Sequence, residues 1–364
     1  MAKKLVFDKP LFFTITVLLL LGIVMVYSAS VFNVDPTRQS ALSNHPFLKQ
    51  IAAAILGLVA MVVAMQLDFR RLQRPAVLYT IVGGVVGLLI LALLSPEVNS
   101  TNRWIFVGGV SIQPSELAKI AVVLFVAYHI ARKDEEVNEP SMLVPVALGT
   151  SFFVVLILLQ PDFGTAGIIL ATAGIMLFLA GLSWRFIALS VVVALPALWF
   201  LVISVPYRRA RLFSFLEPEL DPLGGGYQVV QSMIAVGSGG PWGLGLGQSV
   251  QKLHFLPFAE SDFIYGVLAE ELGLIGAVGV VLLFAVFFWR GMRAGHKVRE
   301  PFAKYMAWGL CTSIVLQAFI NISVAVSLLP TTGTPLPLIS YGGSSLVSTL
   351  LACGLVLNVS QHGT

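Results

Sequence analysis

The chain has 364 residues, 57% of them apolar and only 11% charged, with a mean hydropathy of +0.91. A water-soluble domain of this length cannot carry that composition without aggregating, so the chain is read as a polytopic membrane protein. The formal charge of +4 reflects lysines and arginines gathered on one side of a bilayer rather than nucleic-acid binding, and Cys311 and Cys353 sit in apolar runs without metal-ligand spacing.

A helix needs about 20 apolar residues to cross a bilayer. Runs of that kind occur at Leu11 to Val31, Leu48 to Leu67, Val77 to Leu94, Ile112 to Ile130, Leu143 to Leu159, Gly164 to Leu182, Phe186 to Val205, Phe263 to Trp289, Tyr305 to Leu329 and Leu338 to Val359. They lack the alternation of outer-membrane strands, so the expected fold is all-α, with about ten transmembrane helices in one membrane domain over residues 1–364. Lys3, Lys4, the first run and Ser28-Ala29-Ser30 imitate a cleaved secretory signal, but the length of that run and the spans behind it favour a first transmembrane helix. Arg70, Arg71, Arg74, Arg132, Lys133, Arg185, Arg290, Arg293, Lys297 and Arg299 fall in short loops on the side of Lys3 and Lys4. The positive-inside rule makes that side cytoplasmic, and an even number of spans puts both termini there. Residues 206–262 then form a large extracytoplasmic loop between spans seven and eight.

The polar residues that interrupt the apolar pattern need a reason to be there. Arg103 precedes the fourth span, and Glu116 and Lys119 stand i, i+3 on one face of it, where opposite charges pair; each would cost about 2.5–3.5 kcal/mol at a bilayer centre unless it faced protein or water. A structural ion pair is the plain alternative. Asp162 lies in a very short outer turn, Gln160-Pro161-Asp162, where it either caps the next helix or faces the same mouth. The long loop opens with Arg208, Arg209 and Arg211, a cluster suited to a lipid headgroup or a diphosphate. It continues through glycine-dense stretches, Asp221 to Gln228 and Gly237 to Ser249, which are not a P-loop and read as flexible turns. At its end stands Asp262, with Glu270 two helical turns further on and Glu271 beside it. A carboxylate at a water–membrane boundary is suited to general-base work, and equally to capping a helix. The segment Leu328 to Ser345 packs three prolines and several glycines at membrane depth, so it must be buried or line a cavity. The five histidines are scattered and support neither metal hydrolysis nor a Ser-His-Asp triad.

Taken together and in order, VYSAS, NRWI with QPSELAK, QPDFGTA, YRRAR to GGGYQ, QSMIAVGSGG, GLGLGQS, DFIYGVLAEELGLIG and LPTTGTPLPLISYGGSS resemble the SEDS family of bacterial cell-wall proteins, with FtsW-type features outweighing RodA-type ones. The resemblance implies a peptidoglycan glycosyltransferase in the bacterial cytoplasmic membrane, its active site facing outward. It would polymerise lipid II onto a nascent lipid-linked glycan beside a class B penicillin-binding protein. Asp262 corresponds to the family's essential loop aspartate and is the candidate catalytic base, or a ligand for a divalent cation, Mg or Mn. Arg103, Lys119, Arg208, Arg209 and Arg211 become candidates for holding diphosphate, with Glu116 orienting Lys119. The matched motifs add Gln113, Ser115, Gln160, Asp162, Thr165, Glu270 and Ser340 as candidate substrate-binding residues. Two other functions stay open: a lipid II flippase using the intramembrane charges as a path, and a non-catalytic scaffold for the penicillin-binding protein. The chain departs from the family pattern where Phe258 and Glu260 stand for an acid and a histidine and Ser261 for a threonine, so proton transfer through that histidine cannot operate unless Glu260 substitutes. Ser327 stands for a glycine, a change read as one of packing.

Overall fold

The computed structural model describes residues 7–30, 46–96, 101–108, 110–133, 137–203, 209, 215, 226–253 and 255–363. Its helices are α1 (Lys9–Ser30), α2 (Pro46–Gln66), α3 (Phe69–Leu72), α4 (Pro75–Leu93), α5 (Pro114–Arg132), α6 (Pro140–Leu159), α7 (Phe163–Leu179), α8 (Trp184–Ile203), α9 (Tyr227–Ser238), α10 (Ile264–Lys297), α11 (Pro301–Ala325) and α12 (Gly343–Ser360). A small hairpin, β1 (Ile105–Val107) and β2 (Val110–Ile112), precedes α5. Eight of the helices are long and apolar enough to cross a membrane: α1, α2, α4, α5, α6, α10, α11 and α12. With the apolar α7 and the 20-residue α8, they occupy the ten expected runs.

The helix starts follow local chemistry. Proline occupies the first turn of α4, α5, α6 and α11, where its missing N–H costs nothing. Asp8 accepts from the Leu11 amide and caps α1.

Without a hydrophobic drive between helices in lipid, close packing and polar ties hold the bundle. Between α2 and α12, a Cβ at Gly57 would strike Leu350 and one at Gly354 would strike the Met61 backbone, so both glycines permit close approach. The same pair is tied at both ends. Gln50 donates to the Ser340 carbonyl and accepts from the Gly342 amide, and Asn358 donates to the carbonyls of Ala64 and Met65 at 3.1 and 2.9 Å.

The start of α1 and the end of α12 meet at one end of the bundle, where the Asp8 amide donates to Ser360 Oγ at 3.2 Å and Arg290 forks onto the Asp8 carboxylate at 2.5 and 3.1 Å. Arg70 and Glu300 join there at 2.6 Å, and the guanidinium holds the Glu300 carboxyl below its usual range. That exposed tie is present at neutral pH and fades as pH falls through the depressed Glu300 value. The loop bearing Asp262 lies at the other end, because Ser340, bound to Gln50 at the start of α2, also donates to the Ser261 carbonyl at 2.5 Å.

The 34-residue α10 is not continuous. Gly273 takes φ +67°, ψ −169°, and a Cβ there would collide with the backbone of residues 241–243, so the break requires glycine. The glycine-rich segment read as flexible is instead fitted into this break. The amides of Leu244 and Gly245 donate to the carbonyls of Glu270 and Glu271 at 2.9 and 3.0 Å, and the Leu274 amide donates back to Gly240 at 2.9 Å. Beside it, Lys252 and Glu271 form an ion pair of 2.8 Å with side chains 1% and 0% exposed, and Ser28 of α1 donates to Glu271 at 2.6 Å. Sequence reading gave Lys252 no role and took Ser28 only as part of a signal-like stretch and the VYSAS motif.

Removing one partner of a buried pair strands the other charge, at about 3–5 kcal/mol. Glu271→Ala is therefore expected to lower the thermal unfolding midpoint of the purified protein sharply. Lys252→Met combined with Glu271→Leu should lose clearly less than the two single changes added together; an additive double variant would contradict the pair.

Candidate active site

Asp262 sits half-buried at the lip of a cleft lined by Gln228 of α9, Phe258, Phe263, Asn321 and Val324 of α11, and Thr331 to Thr334. Its main chain is fixed from α11. Asn321 Nδ2 donates to the Asp262 carbonyl and to the Thr334 carbonyl, both at 2.8 Å, and so clamps the two walls of the cleft together. Gly333 lies close by, and a Cβ built on it would stand 3.7 Å from Asp262 Oδ2.

One helical turn before Asn321, Gln317 carries the connection deeper. It donates to the Pro335 carbonyl at 2.8 Å and accepts from Lys119 Nζ, which also pairs with Glu116 at 2.9 Å. Ser348 of α12 donates to the same Glu116 carboxylate at 3.3 Å. The i, i+3 pair expected on the fourth span is thus formed, buried, and facing a second cleft between α5, α11 and α12. Lys119 is linked to the Asp262 wall through Gln317 and the 334–335 backbone.

Arg103 is committed elsewhere than expected. Its guanidinium donates to the carbonyls of Gln160 (3.1 Å) and Pro161 and stands 3.8 Å from Asp162, so it clamps the α6–α7 turn. Asp162 caps α7 by accepting from the Thr165 amide at 3.2 Å, and it also accepts from Gln113 at 3.3 Å and Ser115 at 3.2 Å. Gln160 donates to the Leu89 carbonyl of α4 at 2.9 Å, its Oε1 buried without a partner. Five of the expected binding residues, Gln113, Ser115, Gln160, Asp162 and Thr165, are therefore buried or half-buried parts of one turn-holding network. That turn abuts the Asp262 wall, since a Cβ at Gly164 would meet Thr332 and Thr334.

Ser340 and Glu270 also turn inward. The Ser340 hydroxyl accepts from the Leu336 amide at 2.7 Å while donating to Ser261, so it fastens the Asp262 loop to the 336–341 segment. A further tie runs from the Tyr341 amide to the Glu260 carbonyl at 2.8 Å. Glu270, expected below Asp262 as a substrate contact, accepts instead from Ser249 Oγ (2.5 Å) and the amides of Val250 (3.0 Å) and Gln251 (3.4 Å). It anchors the loop. Of the expected cationic cluster Arg209 is exposed, whereas Arg208 and Arg211 lie outside the described residues.

Besides Pro161 (φ +28°) in the α6–α7 turn, three non-glycine residues take left-handed backbone: Phe258 (φ +57°), Ser327 (φ +57°) and Leu338 (φ +65°). This corrects the reading of Ser327 as packing. At φ +57° a glycine is at home and a serine is strained, so the difference lies in the backbone. Such residues persist where surrounding structure over-determines them, and here they flank the segment that carries Asp262. Sequence reasoning missed Asn321, Gln317 and Gln228; the signal was there in two amides four residues apart on one face of an otherwise apolar span.

Among known proteins, residues 9–364 match the family described as cell cycle protein, FTSW_RODA_SPOVE. The chain is 42% identical over 345 residues to the "Probable peptidoglycan glycosyltransferase FtsW" of Geobacter metallireducens, covering 94% of this chain and 91% of that one. Among solved structures, it superposes on a chain of a peptidoglycan synthase complex that coordinates polymerization and crosslinking, with a TM-score of 0.81, 32% identity and 98% of each chain covered. It also superposes on the rod shape determining protein RodA of Thermus thermophilus, with a TM-score of 0.72, 29% identity and coverage of 99% and 98%. A match spanning nearly every residue, with the helices and the Asp262 cleft in one continuous fold, means that this polytopic membrane protein belongs to the FtsW/RodA/SpoVE family.

Proposed function

We propose that this chain is the peptidoglycan glycosyltransferase that its relatives' names describe, polymerising lipid II at the Asp262 cleft. The observation that carries the reading is the way Asp262 is held. Its carboxylate lines an open cleft while its main chain is pinned by Asn321 and its loop by Ser340. In glycosyl transfer from a lipid diphosphate, the acceptor hydroxyl gives up a proton as its oxygen bonds to the anomeric carbon and the diphosphate leaves. One carboxylate suffices for that proton, because the leaving diphosphate needs positive charge rather than protonation. Asp262 takes the role of base. Lys119 and Arg103 lie behind the cleft wall and set its shape and local potential, and the exposed Arg209 and Lys49 are described cations outside those networks that suit an incoming diphosphate.

Among the described residues no three His, Cys, Asp or Glu side chains converge to hold a metal. A divalent ion, Mg or Mn, would be held by Asp262 and would supply positive charge to the departing diphosphate.

The basic loops gathered at the end where α1 starts and α12 finishes make that end cytoplasmic, so the Asp262 end faces outward. The partner is a class B penicillin-binding protein. Support comes from the synthase complex that the fold resembles and from the exposed apolar face formed by Leu274, Ile275, Val278 and Leu282 of α10 with Phe319 of α11. The FtsW names among relatives about 40% identical support a role in division.

Purified protein supplied with fluorescent lipid II is expected to make glycan strands. Asp262→Ala and Asp262→Asn should each reduce the rate by about 10²-fold or more while the unfolding midpoint stays near that of the parent. Polymer formation at the parental rate by Asp262→Asn would remove the base from the mechanism. For Asn321, which acts only through position, Asn321→Ala should lower the turnover rate by roughly 10- to 100-fold with little change in apparent substrate affinity. A change confined to affinity would contradict the clamp.

A further inference from the structure

Two contacts between α1 and α10 act as a ruler for the membrane. Asp8 meets Arg290 at one end and Ser28 meets Glu271 at the other. Asp8 and Ser28 stand 20 residues apart along the unbroken α1, about 30 Å of helix, which equals the thickness of a hydrocarbon core of about 30 Å. Glu271 therefore marks the level of the outer boundary. The glycine-rich loop lies at this level, because Leu244 and Gly245 bond to the carbonyls of Glu270 and Glu271.

What the loop shows to its surroundings does not suit water. Trp242 is 80% exposed, Leu246 56%, Val250 49% and Leu244 46%. The preceding helix α9 buries Val229, Ser232 and Ala235 and exposes Met233 and Ile234. From Tyr227 to Leu253 the sequence carries a single charged residue, Lys252, and that one is buried against Glu271. An aqueous loop of this length would be expected to display charge. A tryptophan set among leucines at the level of the headgroups is instead the usual signature of a segment seated in the interface.

We propose that residues 240–253, with the Met233–Ile234 face of α9, are seated in the bilayer leaflet at the Glu271 end, with Trp242, Leu244 and Leu246 among lipid acyl chains. The occupant of this apolar surface is lipid. The buried Lys252–Glu271–Ser28 cluster makes the insertion possible by withdrawing the segment's one charge from the lipid-facing side. Taken with the proposed activity, which the inference itself does not require, this would hold the Asp262 loop against the surface from which a lipid-linked substrate arrives.

The test is collision accessibility of a nitroxide attached at Trp242→Cys or, separately, Leu246→Cys, in the full chain reconstituted in phospholipid vesicles. Cys311 and Cys353 are fully buried, and the unsubstituted protein checks that they stay unlabelled. Ile55→Cys on the exposed face of α2 serves as the lipid-facing reference and the exposed Glu139→Cys as the aqueous one. Oxygen collisions exceeding those of a water-soluble nickel complex at both loop positions, as at residue 55, support the proposal. Nickel collisions dominating, as at residue 139, would put the loop in water and overturn it. Low collision with both reagents would mean that protein covers the patch, and would overturn it equally. Loss of polymerase activity leaves this readout intact, so it fails independently of the functional assignment.

Discussion

The break in α10 is the constraint on which the outer end of the molecule depends. A helix interrupted at membrane depth exposes amides and carbonyls that lipid cannot satisfy, so a partner must come from within the protein. The backbone of residues 240–245 supplies it, and only glycine at 243 and 273 lets two main chains approach so closely. Once the loop is committed to the break, its other ends follow. Glu270 gathers the amides of Val250 and Gln251, Glu271 draws in Lys252, and Ser28 closes the cluster onto α1. Glu270 and Glu271 are spent on architecture, and of the three carboxylates in this stretch Asp262 is the one left lining a cleft.

That cleft is assembled from polar groups on apolar helices. Asn321 and Gln317 stand one turn apart on α11 and bind successive pieces of the irregular 331–335 wall, one through Thr334 and the other through Pro335. Gln317 also takes the ammonium of Lys119, so the ion pair inside the bundle and the wall beside Asp262 share one side chain. A buried charge pair contributes little net stability once desolvation is counted, and its worth is in fixing a single arrangement. Here the arrangement fixed is the distance from α5 to the cleft.

Much of the fold was legible because the bilayer imposes a length. The ten apolar runs fall on ten described helices with limits displaced by up to eight residues, and the charge pair at Glu116 and Lys119 followed from helical spacing alone. The small helix α9 and the hairpin before α5 were not legible, since neither has a run long enough to stand out against its surroundings. At the site, residue type was a poor guide to role. Arg103 has the chemistry of a diphosphate ligand, yet it binds the carbonyls of Gln160 and Pro161, because an ordered turn offers acceptors that a linear pattern does not reveal. Asp162 fulfils the capping alternative that its position already allowed. Conversely, Asn321 escaped notice because an amide costs less than a charge in lipid and so stands out less in sequence.

The strained residues around Asp262 complete the account. Phe258, Ser327 and Leu338 each hold a conformation that costs an L-residue about 1–2 kcal/mol, and each stands in a segment tied to its neighbours by hydrogen bonds. Phe258 accepts from the Ser261 and Phe263 amides, which wraps the chain tightly around Asp262. The Ser327 amide donates to Val324, turning the chain off the end of α11 toward the cleft wall, and Leu338 lies between Leu336 and Ser340, whose mutual bonds fasten that wall. The strain is balanced by the same contacts that hold the aspartate in place. A relaxed loop would not need those contacts, and without them nothing would keep a lone carboxylate facing the cleft.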